Sequence, residues 1–264
     1  MKKIILGLCL VLPSVLFAGE SGITQIITPT NWNGFYIGGN LGGLFSKFHG
    51  SVSDAPYIDN SGVYFPSFAQ PYNANQHRFA GGAQLGYLYQ INQFIYGTEI
   101  GLLGFNLNNK HTLKKEEVGQ FINIFKSGDS FSSKSKWQAS WIARIGSPIQ
   151  NWLVYGLGGV AIMNHEISTQ ITSIVIDGDL FPASQGSEIK TLVGGTVGLG
   201  SEYALCSNFR IGLEYRYTDF GKRQYRVGQS AVSSLPNGFI FTDLHANSKL
   251  VNNSVLVRFN YYFN

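Results

Sequence analysis

The sequence has few charged residues for its length. Only 13% of its 264 residues are charged, about half of the roughly 25% that soluble domains carry. A disordered chain is rich in charge and poor in aromatic residues, whereas 14% of this chain is aromatic, so disorder is excluded. The net charge of +4 is small and dispersed, and it gives no indication of nucleic-acid binding.

Long hydrophobic runs are absent beyond the N-terminal region. The longest of them, residues 153–163, includes three glycines and is far shorter than the roughly 20 residues of a membrane-spanning helix. Helical membrane spans are therefore excluded. Cysteine is scarce as well, because Cys9 and Cys206 are too few for a zinc site or a disulfide framework.

The N-terminal residues have the pattern of a secretory signal peptide. Two lysines precede the apolar stretch Ile4–Phe17, and Ala18 is a small residue at the cleavage position. We predict a signal peptide over residues 1–18 and one mature domain over residues 19–264. An exported chain with little charge and many aromatic residues indicates a β-barrel, which satisfies every backbone hydrogen bond in lipid without helices.

Apolar residues alternate with small or polar ones in eight segments of about ten residues, the pattern of a lipid-facing β-strand. The segments lie near residues 35–45, 78–90, 96–102, 137–145, 153–164, 193–203, 209–217 and 254–263. In each segment we expect the more apolar set to face lipid. For the fifth segment this predicted outward set is Leu153, Tyr155, Leu157, Ala161 and Met163.

The connections between these segments alternate in length. Short turns near Asn92, residues 147–151 and residues 206–208 alternate with connections of roughly 20 to 30 residues. Outer-membrane barrels have this alternation because their periplasmic turns are short and their outer loops are long. The predicted fold class is therefore all-β: an eight-stranded antiparallel up-and-down transmembrane β-barrel with long outer loops.

The charged residues embedded in the strands all fall on the parity opposite to the apolar face. They are Glu99, Arg144, Glu202, Arg210, Glu214, Arg216 and Arg258. An Arg or Lys facing lipid at mid-membrane costs about 2–4 kcal/mol, so we predict an ion-pair network in the barrel interior. The alternative, acid–base catalysis by the three glutamates, needs an open cleft, and the interior of an eight-stranded barrel is just filled by side chains.

Aromatic residues cluster near the segment ends and predict belts at the membrane interfaces. At the periplasmic end these are Trp32, Tyr89, Tyr96, Trp152, Tyr203, Phe209 and Phe263, and nearer the other rim they are Trp137 and Tyr217. The alternative explanation is the ordinary preference of aromatic residues for strands.

Three pieces of the sequence resemble small bacterial outer-membrane β-barrel proteins, the opacity-type, porin-like surface antigens. Trp32–Gly42 resembles their opening strand, Gly198–Gly221 their penultimate hairpin and Asn253–Phe263 their closing strand. The resemblance covers essentially the whole mature chain. It implies an eight-stranded barrel of the cell outer membrane, whose members are described as surface antigens, adhesins or minor porins. One departure is Asn264, because such proteins usually end on an aromatic residue.

We predict a structural or adhesin- and antigen-like surface protein, not an enzyme, whose rigid barrel presents four long loops outside the cell. Aromatic loop residues such as Phe68, Phe121 and Phe125 are typical either of a contact surface or of loops packed on one another. The expected partners are outer-membrane lipid, the barrel-assembly machinery and a host-surface ligand of the loops. We expect a monomer with no cofactor, metal or nucleic acid.

Two alternative functions are compatible with the sequence. The first is a small porin that passes ions or small solutes. The second is an exported soluble barrel with an internal ligand, whose apolar residues would face inward instead of outward.

Overall fold

The computed structural model describes residues 31–54, 57–58, 64–65, 69–112, 128–171, 174–176, 179–181, 184–234 and 238–263. The predicted signal peptide and the three loop aromatic residues Phe68, Phe121 and Phe125 lie outside these residues. In the described part of the chain no helix is long and apolar enough to cross a membrane.

Eight long strands form one closed antiparallel barrel across the described residues. The barrel strands are β1 (Gly34–Asp54), β2 (Ala69–Ile91), β3 (Phe94–Thr112), β4 (Ser130–Ile149), β5 (Trp152–Ile171), β6 (Ser184–Ala204), β7 (Phe209–Ser234) and β8 (Gly238–Phe263). Each strand pairs with its neighbours in the chain, and β8 closes the barrel against β1. The predicted fold class is confirmed. Two short strand pairs, Tyr57–Ile58 with Tyr64–Phe65 and Ile174–Ile176 with Asp179–Phe181, lie in the connections.

Three tight turns lie at one end of the barrel. Asn92 (φ 52°) and Gln150 (φ 56°) adopt the left-handed conformation that two-residue hairpins require. The third turn, residues 205–208, joins β6 to β7. These turns lie where the sequence predicts them, so the other four connections emerge at the opposite end, which is the outer end of a barrel of this kind. The connection between β7 and β8 was expected to be long but consists of residues 235–237 only, because both strands continue through most of the predicted loop.

The strands extend well beyond the membrane on the outer side. They contain 19 to 26 residues, whereas a tilted strand needs only about 9–11 to cross lipid. Exposed apolar residues cover the half nearer the turns, as far as Phe45 on β1, Phe79 on β2 and Ile162 on β5. The ten-residue segments of the sequence are therefore the lipid-facing parts of longer strands.

The orientation of strand β5 is opposite to the predicted one. Leu153, Tyr155 and Met163 were expected to face lipid, but they are 1%, 3% and 0% exposed and point into the barrel, as do Leu157 and Ala161. The outward residues of β5 are Trp152, Val154, Val160 and Ile162. This segment is apolar on both faces, and the interior at both of its ends is apolar too, so hydrophobicity alone does not distinguish the two orientations.

The barrel wall separates into two sheets in its outer half. Strands β2 and β3 pair only as far as Ala80 and Phe105, and β6 and β7 only as far as Gly195 and Asp219. The other six interfaces stay paired toward the outer end. Among the described residues, the outer half thus consists of two four-stranded sheets, β3–β6 and β7–β8–β1–β2.

Side chains join the two sheets across the gaps in backbone pairing. Arg78 Nε donates to the Asn106 carbonyl (3.0 Å) across the β2–β3 gap, and Lys190 Nζ donates to the Gln224 carbonyl (2.5 Å) across the β6–β7 gap. Buried apolar residues, called here the outer layer, fill the space between the sheets. The outer layer includes Leu44, Phe48, Leu103, Met163, Phe220, Tyr225 and Leu250.

Candidate functional site

The membrane-embedded part of the barrel interior contains a cluster of buried charges. Glu99 on β3 contacts three arginines, with Glu99 Oε2 at 2.7 Å from Arg144 Nη2 and 2.5 Å from Arg258 Nη2, and Glu99 Oε1 at 2.8 Å from Arg216 Nη2. Tyr36 donates its hydroxyl to Glu99 Oε2 at 2.6 Å. One carboxylate therefore connects β1, β3, β4, β7 and β8.

The other two glutamates also bridge arginines, Glu214 three of them and Glu202 two. Glu214 Oε2 lies 2.9 Å from Arg144 Nη2 and 3.0 Å from Arg258 Nη1, and Glu214 Oε1 accepts from Arg216 Nε. Glu202 Oε1 lies 2.9 Å from Arg144 Nη1 and 3.7 Å from Arg258 Nε. The cluster thus balances three glutamates against three arginines and is electrically neutral.

Each carboxylate also accepts a hydrogen bond from one tyrosine. Tyr36 donates to Glu99, while Tyr155 donates to Glu214 (2.8 Å) and Tyr262 to Glu202 (3.0 Å). The alternation of the first and last segments puts Tyr36 and Tyr262 on the inward parity but indicates no partner for them, whereas Tyr155 was predicted to face lipid. An inward tyrosine on a strand of a charged barrel interior is the signal that would have identified all three.

The cluster is sealed from solvent. The side chains of Glu99, Glu202 and Glu214 are 0% exposed, and that of Arg216, the most exposed of the arginines, is 9% exposed. Charges removed from water in this way are tolerated only when they are paired and hydrogen-bonded, as they are here. The arrangement can tie seven strands together, but among the described residues it offers no route for a substrate to reach a carboxylate.

Packed layers lie on both sides of the charge cluster. Toward the periplasmic end an inner layer contains Trp32, Tyr36, Leu88, Ile95, Ile142, Leu153, Tyr155 and Tyr262. Beside the charge cluster Asn40 donates to Gln84 (2.5 Å), and Gln84 donates to Asn260 (2.8 Å). The outer layer follows toward the outer end. The interior is therefore a stack of an apolar, a polar and charged, and a second apolar layer.

Arg210 lies apart from the charge cluster, contrary to the sequence prediction. Within the described residues no carboxylate lies at ion-pair distance from its guanidinium. Arg210 instead donates to the backbone carbonyls of Asn31 (2.6 Å) and Ser207 (3.2 Å) and stacks over the rings of Trp32 and Tyr262. Arg210 is the second residue of β7 and therefore lies nearer the periplasmic end than the cluster does, although its parity is inward as predicted.

Trp32 also departs from its predicted place in the aromatic belt. It is 0% exposed and packs edge-on against Tyr262, with 6.4 Å between the ring centroids. Strand β1 begins only at Gly34, so the alternation of strand residues does not extend to Trp32. The indole closes the periplasmic mouth of the barrel instead of facing lipid.

We predict that lipid quenching separates Trp32 from Trp152, which lies at the same end of the barrel. In single-tryptophan variants with the other three tryptophans replaced by Phe, lipids with brominated chains should quench Trp152, which is 46% exposed on the lipid side. Trp32 fluorescence should stay nearly unchanged, because its ring is shielded by protein. Equal quenching of both variants would contradict the interior placement of Trp32.

The remaining predicted belt residues lie on the outer surface of the barrel. Tyr96, Trp152, Phe209 and Phe263 are exposed toward lipid, while Tyr203 and Trp137 are half-buried. The Trp152 ring lies 4.9 Å from that of Tyr203. Their role as an interfacial belt stays a prediction.

Ion pairs also form just beyond the lipid-facing residues on the outer side. Lys249 Nζ lies 3.0 Å from Asp219 Oδ2, and Lys190 Nζ lies 3.4 Å from Glu188 Oε1. The backbone N–H of Gly221 donates to Asp219 and, together with Lys249, lowers the pKa of that carboxyl below its usual range. Asp219 is therefore charged at neutral pH and partners one of the lysines of this rim.

An apolar outer surface around a charged, closed interior defines a transmembrane β-barrel of the bacterial outer membrane. The family described as the outer membrane protein beta-barrel domain matches residues 25–263, and the chain belongs to this family. The resemblance seen in the sequence and the predicted location in the cell outer membrane are confirmed. The chain is an outer-membrane β-barrel surface protein.

Several characterised proteins are similar to the chain. The 31 kDa outer-membrane immunogenic protein of Brucella melitensis biotype 1 is 28% identical over 235 residues, which cover 84% of this chain and 89% of that protein. The 22 kDa outer membrane protein of Rhizobium leguminosarum bv. viciae is 27% identical and covers 77% of this chain and 71% of its own length. Among solved structures, the outer membrane protein OprG from Pseudomonas aeruginosa is similar with a TM-score of 0.43 and 12% identity, covering 91% of this chain and 100% of its own.

Proposed function

We propose that this protein is a closed scaffold that holds its outer connections at the cell surface, where they act as an adhesin- or antigen-like contact surface, and that it has no catalytic activity. The proposal extends to a cleaved signal peptide over residues 1–18, insertion by the barrel-assembly machinery and a monomeric state. A host-surface ligand would bind the connections at the outer end and not the interior of the barrel.

One observation carries the proposal: the charge cluster fills the barrel where it crosses the membrane. Acid–base catalysis requires that a substrate come within hydrogen-bond distance of the catalytic carboxylate. The carboxylates of Glu99, Glu202 and Glu214 are instead occupied by arginines and tyrosines and have no solvent-exposed side-chain surface. The inner layer and the outer layer separate them from both ends of the barrel.

The same packing predicts that the barrel does not conduct. The mature protein, refolded in detergent and inserted into a planar bilayer, should give no discrete current steps, because an ion would have to displace the buried cluster and both apolar layers. Protease protection of the same preparation should establish insertion independently. Reproducible single-channel steps from the inserted protein would overturn the closed scaffold and favour the alternative of a small porin.

A further inference from the structure

A polar cleft of about 270 Å³ lies on the outward face of the β3–β6 sheet, above the lipid-facing residues. Its walls include Lys110 of β3, Ser132 and Lys134 of β4, and Ser168 of β5. Neither the charge cluster nor the closed-scaffold function involves these residues. The functions described so far therefore do not account for the cleft.

The strand register brings the donors of the cleft together. Lys110 lies opposite Ser132, and Ser132 in turn lies opposite Ser168, so one row crosses three strands. Lys134 is two positions from Ser132 on the same strand and is the diagonal neighbour of Lys110. Diagonal neighbours in a sheet have Cα atoms about 7–8 Å apart, so the two long lysine side chains can converge on one small group between the serine hydroxyls.

The cleft has an excess of positive charge. Among the described residues, no carboxylate lies at ion-pair distance from Lys110 or Lys134, whereas Lys190 and Lys249 each have one. The nearest acid in the register is Glu166, which lies opposite Lys134 on β5 but does not line the cleft. Two ammonium groups, which only donate hydrogen bonds, lie beside two hydroxyls, which can donate as well, and this combination suits an anion.

The height of the cleft along the membrane normal indicates which anion it meets. Lys134 lies three residues beyond Trp137 on β4, and Trp141 of β4 and Ile162 of β5, which lie nearer the periplasmic end, face lipid. At about 3.3 Å per residue and a strand tilt of about 45°, Lys134 sits roughly 7 Å above Trp137 along the membrane normal. With Trp137 in the predicted interfacial belt, this height corresponds to the headgroup layer, where the anions are phosphates fixed to lipids.

We propose that the cleft binds a phosphate group of a phosphorylated glycolipid in the outer leaflet of the membrane. The ammonium groups of Lys110 and Lys134 pair with the phosphate oxygens, and the hydroxyls of Ser132 and Ser168 donate hydrogen bonds to them. Such contacts would fix a lipid to one side of the barrel, beneath the outer connections.

The test uses the refolded mature protein and lipid A with two phosphate monoesters, titrated in detergent micelles. The double variant Lys110→Gln with Lys134→Gln should bind about tenfold more weakly, because each exposed ion pair contributes up to about a factor of five. The matched control, Lys47→Gln with Lys222→Gln, removes two exposed lysines outside the cleft and should bind as the unmodified protein does. The single variant Glu166→Gln should bind more tightly, since it removes the nearest opposing charge.

Four results would overturn the proposal. Equal loss in both double variants would indicate general attraction to positive charge instead of a site. Undiminished binding of phosphate-free lipid A would remove phosphate from the interaction. Full competition by inorganic phosphate at the same concentration as lipid A would assign the site to free phosphate. Tighter binding of a polysulfated sugar than of lipid A would assign it to a polysaccharide. The heat-dependent gel mobility of each variant establishes that the barrel is folded, and none of these results depends on whether the barrel conducts.

Discussion

Replacing Arg258 with Met should destabilise the barrel by about 3–5 kcal/mol, the cost of leaving a buried charge without its partner. Arg258 is 0% exposed and contacts all three glutamates of the cluster, at 2.5 Å for Glu99, 3.0 Å for Glu214 and 3.7 Å for Glu202. Its loss leaves a net negative charge in the closed interior, while methionine keeps much of the side-chain volume. The free energy of unfolding in urea, measured in lipid vesicles, is the readout.

The matched control is Lys249→Met, which breaks an ion pair at the outer rim. Lys249 and Asp219 lie 3.0 Å apart, but their side chains are 39% and 32% exposed. Water and salt replace such a partner, so the unfolding midpoint should not change measurably. Equal losses for Arg258→Met and Lys249→Met would show that burial of the cluster contributes nothing to stability.

A second substitution distinguishes loss of charge balance from loss of packing. Adding Glu202→Gln to Arg258→Met leaves two glutamates facing two arginines, and the cluster is neutral again. Part of the lost stability should return, so the double variant should be less destabilised than the sum of the two single variants. Simple additivity would mean that the arginine acts through its volume alone.

Gly42→Val should destabilise the barrel by about 3 kcal/mol, the upper end of the range for overpacking. Gly42 is on the inward parity of β1, and a Cβ atom there would overlap the carbonyl oxygen of Val255 on β8. It would also lie 2.9 Å from the Val255 carbonyl carbon and 3.0 Å from Leu256 Cα. All three of these atoms belong to the backbone, so a valine side chain fits only if β1 and β8 move apart where the barrel closes. The folded fraction on heat-dependent gel mobility, together with urea unfolding, measures the effect.

Gly195→Val provides the comparison at an exposed glycine of β6. Nothing lies within 4 Å of a Cβ atom at Gly195, and the residue is exposed on the outer surface. Valine is a better strand residue than glycine, so this variant should fold at least as well as the unmodified protein. If Gly42→Val were equally well tolerated, the close approach of β1 and β8 would not limit the size of residue 42.

The sequence predicts the barrel because a charged side chain that faces lipid is energetically costly. Charges such as Glu99, Arg144 and Glu214 cannot face hydrocarbon, so each of them indicates which parity of its strand points inward. Strand β5 has no charged residue between Leu153 and Met163, and its face was assigned wrongly for that reason. The interior has an apolar layer at each end, so apolar side chains were acceptable on either side of this strand.

Other features depend on contacts between distant strands, which the residue pattern of one strand does not show. The tyrosine partners of the glutamates come from distant strands, as in the pair Tyr262 and Glu202. Arg210 has the parity of the cluster but lies at a different height, which alternation does not report. Trp32 precedes its strand, so its position follows from how the chain enters the barrel mouth. The division of the outer wall depends on where backbone pairing stops, which apolar periodicity does not reveal.

That division gives the molecule two parts with different mechanical behaviour. Around the membrane, a continuous ring of backbone hydrogen bonds resists any change in diameter. Above it, the β3–β6 sheet and the β7–β8–β1–β2 sheet are held together at their edges by side-chain contacts such as that of Arg78 with Asn106. A force applied to the outer connections can therefore shift one sheet along the other without breaking a strand ladder, so deformation is absorbed outside the membrane and does not reach the charge cluster.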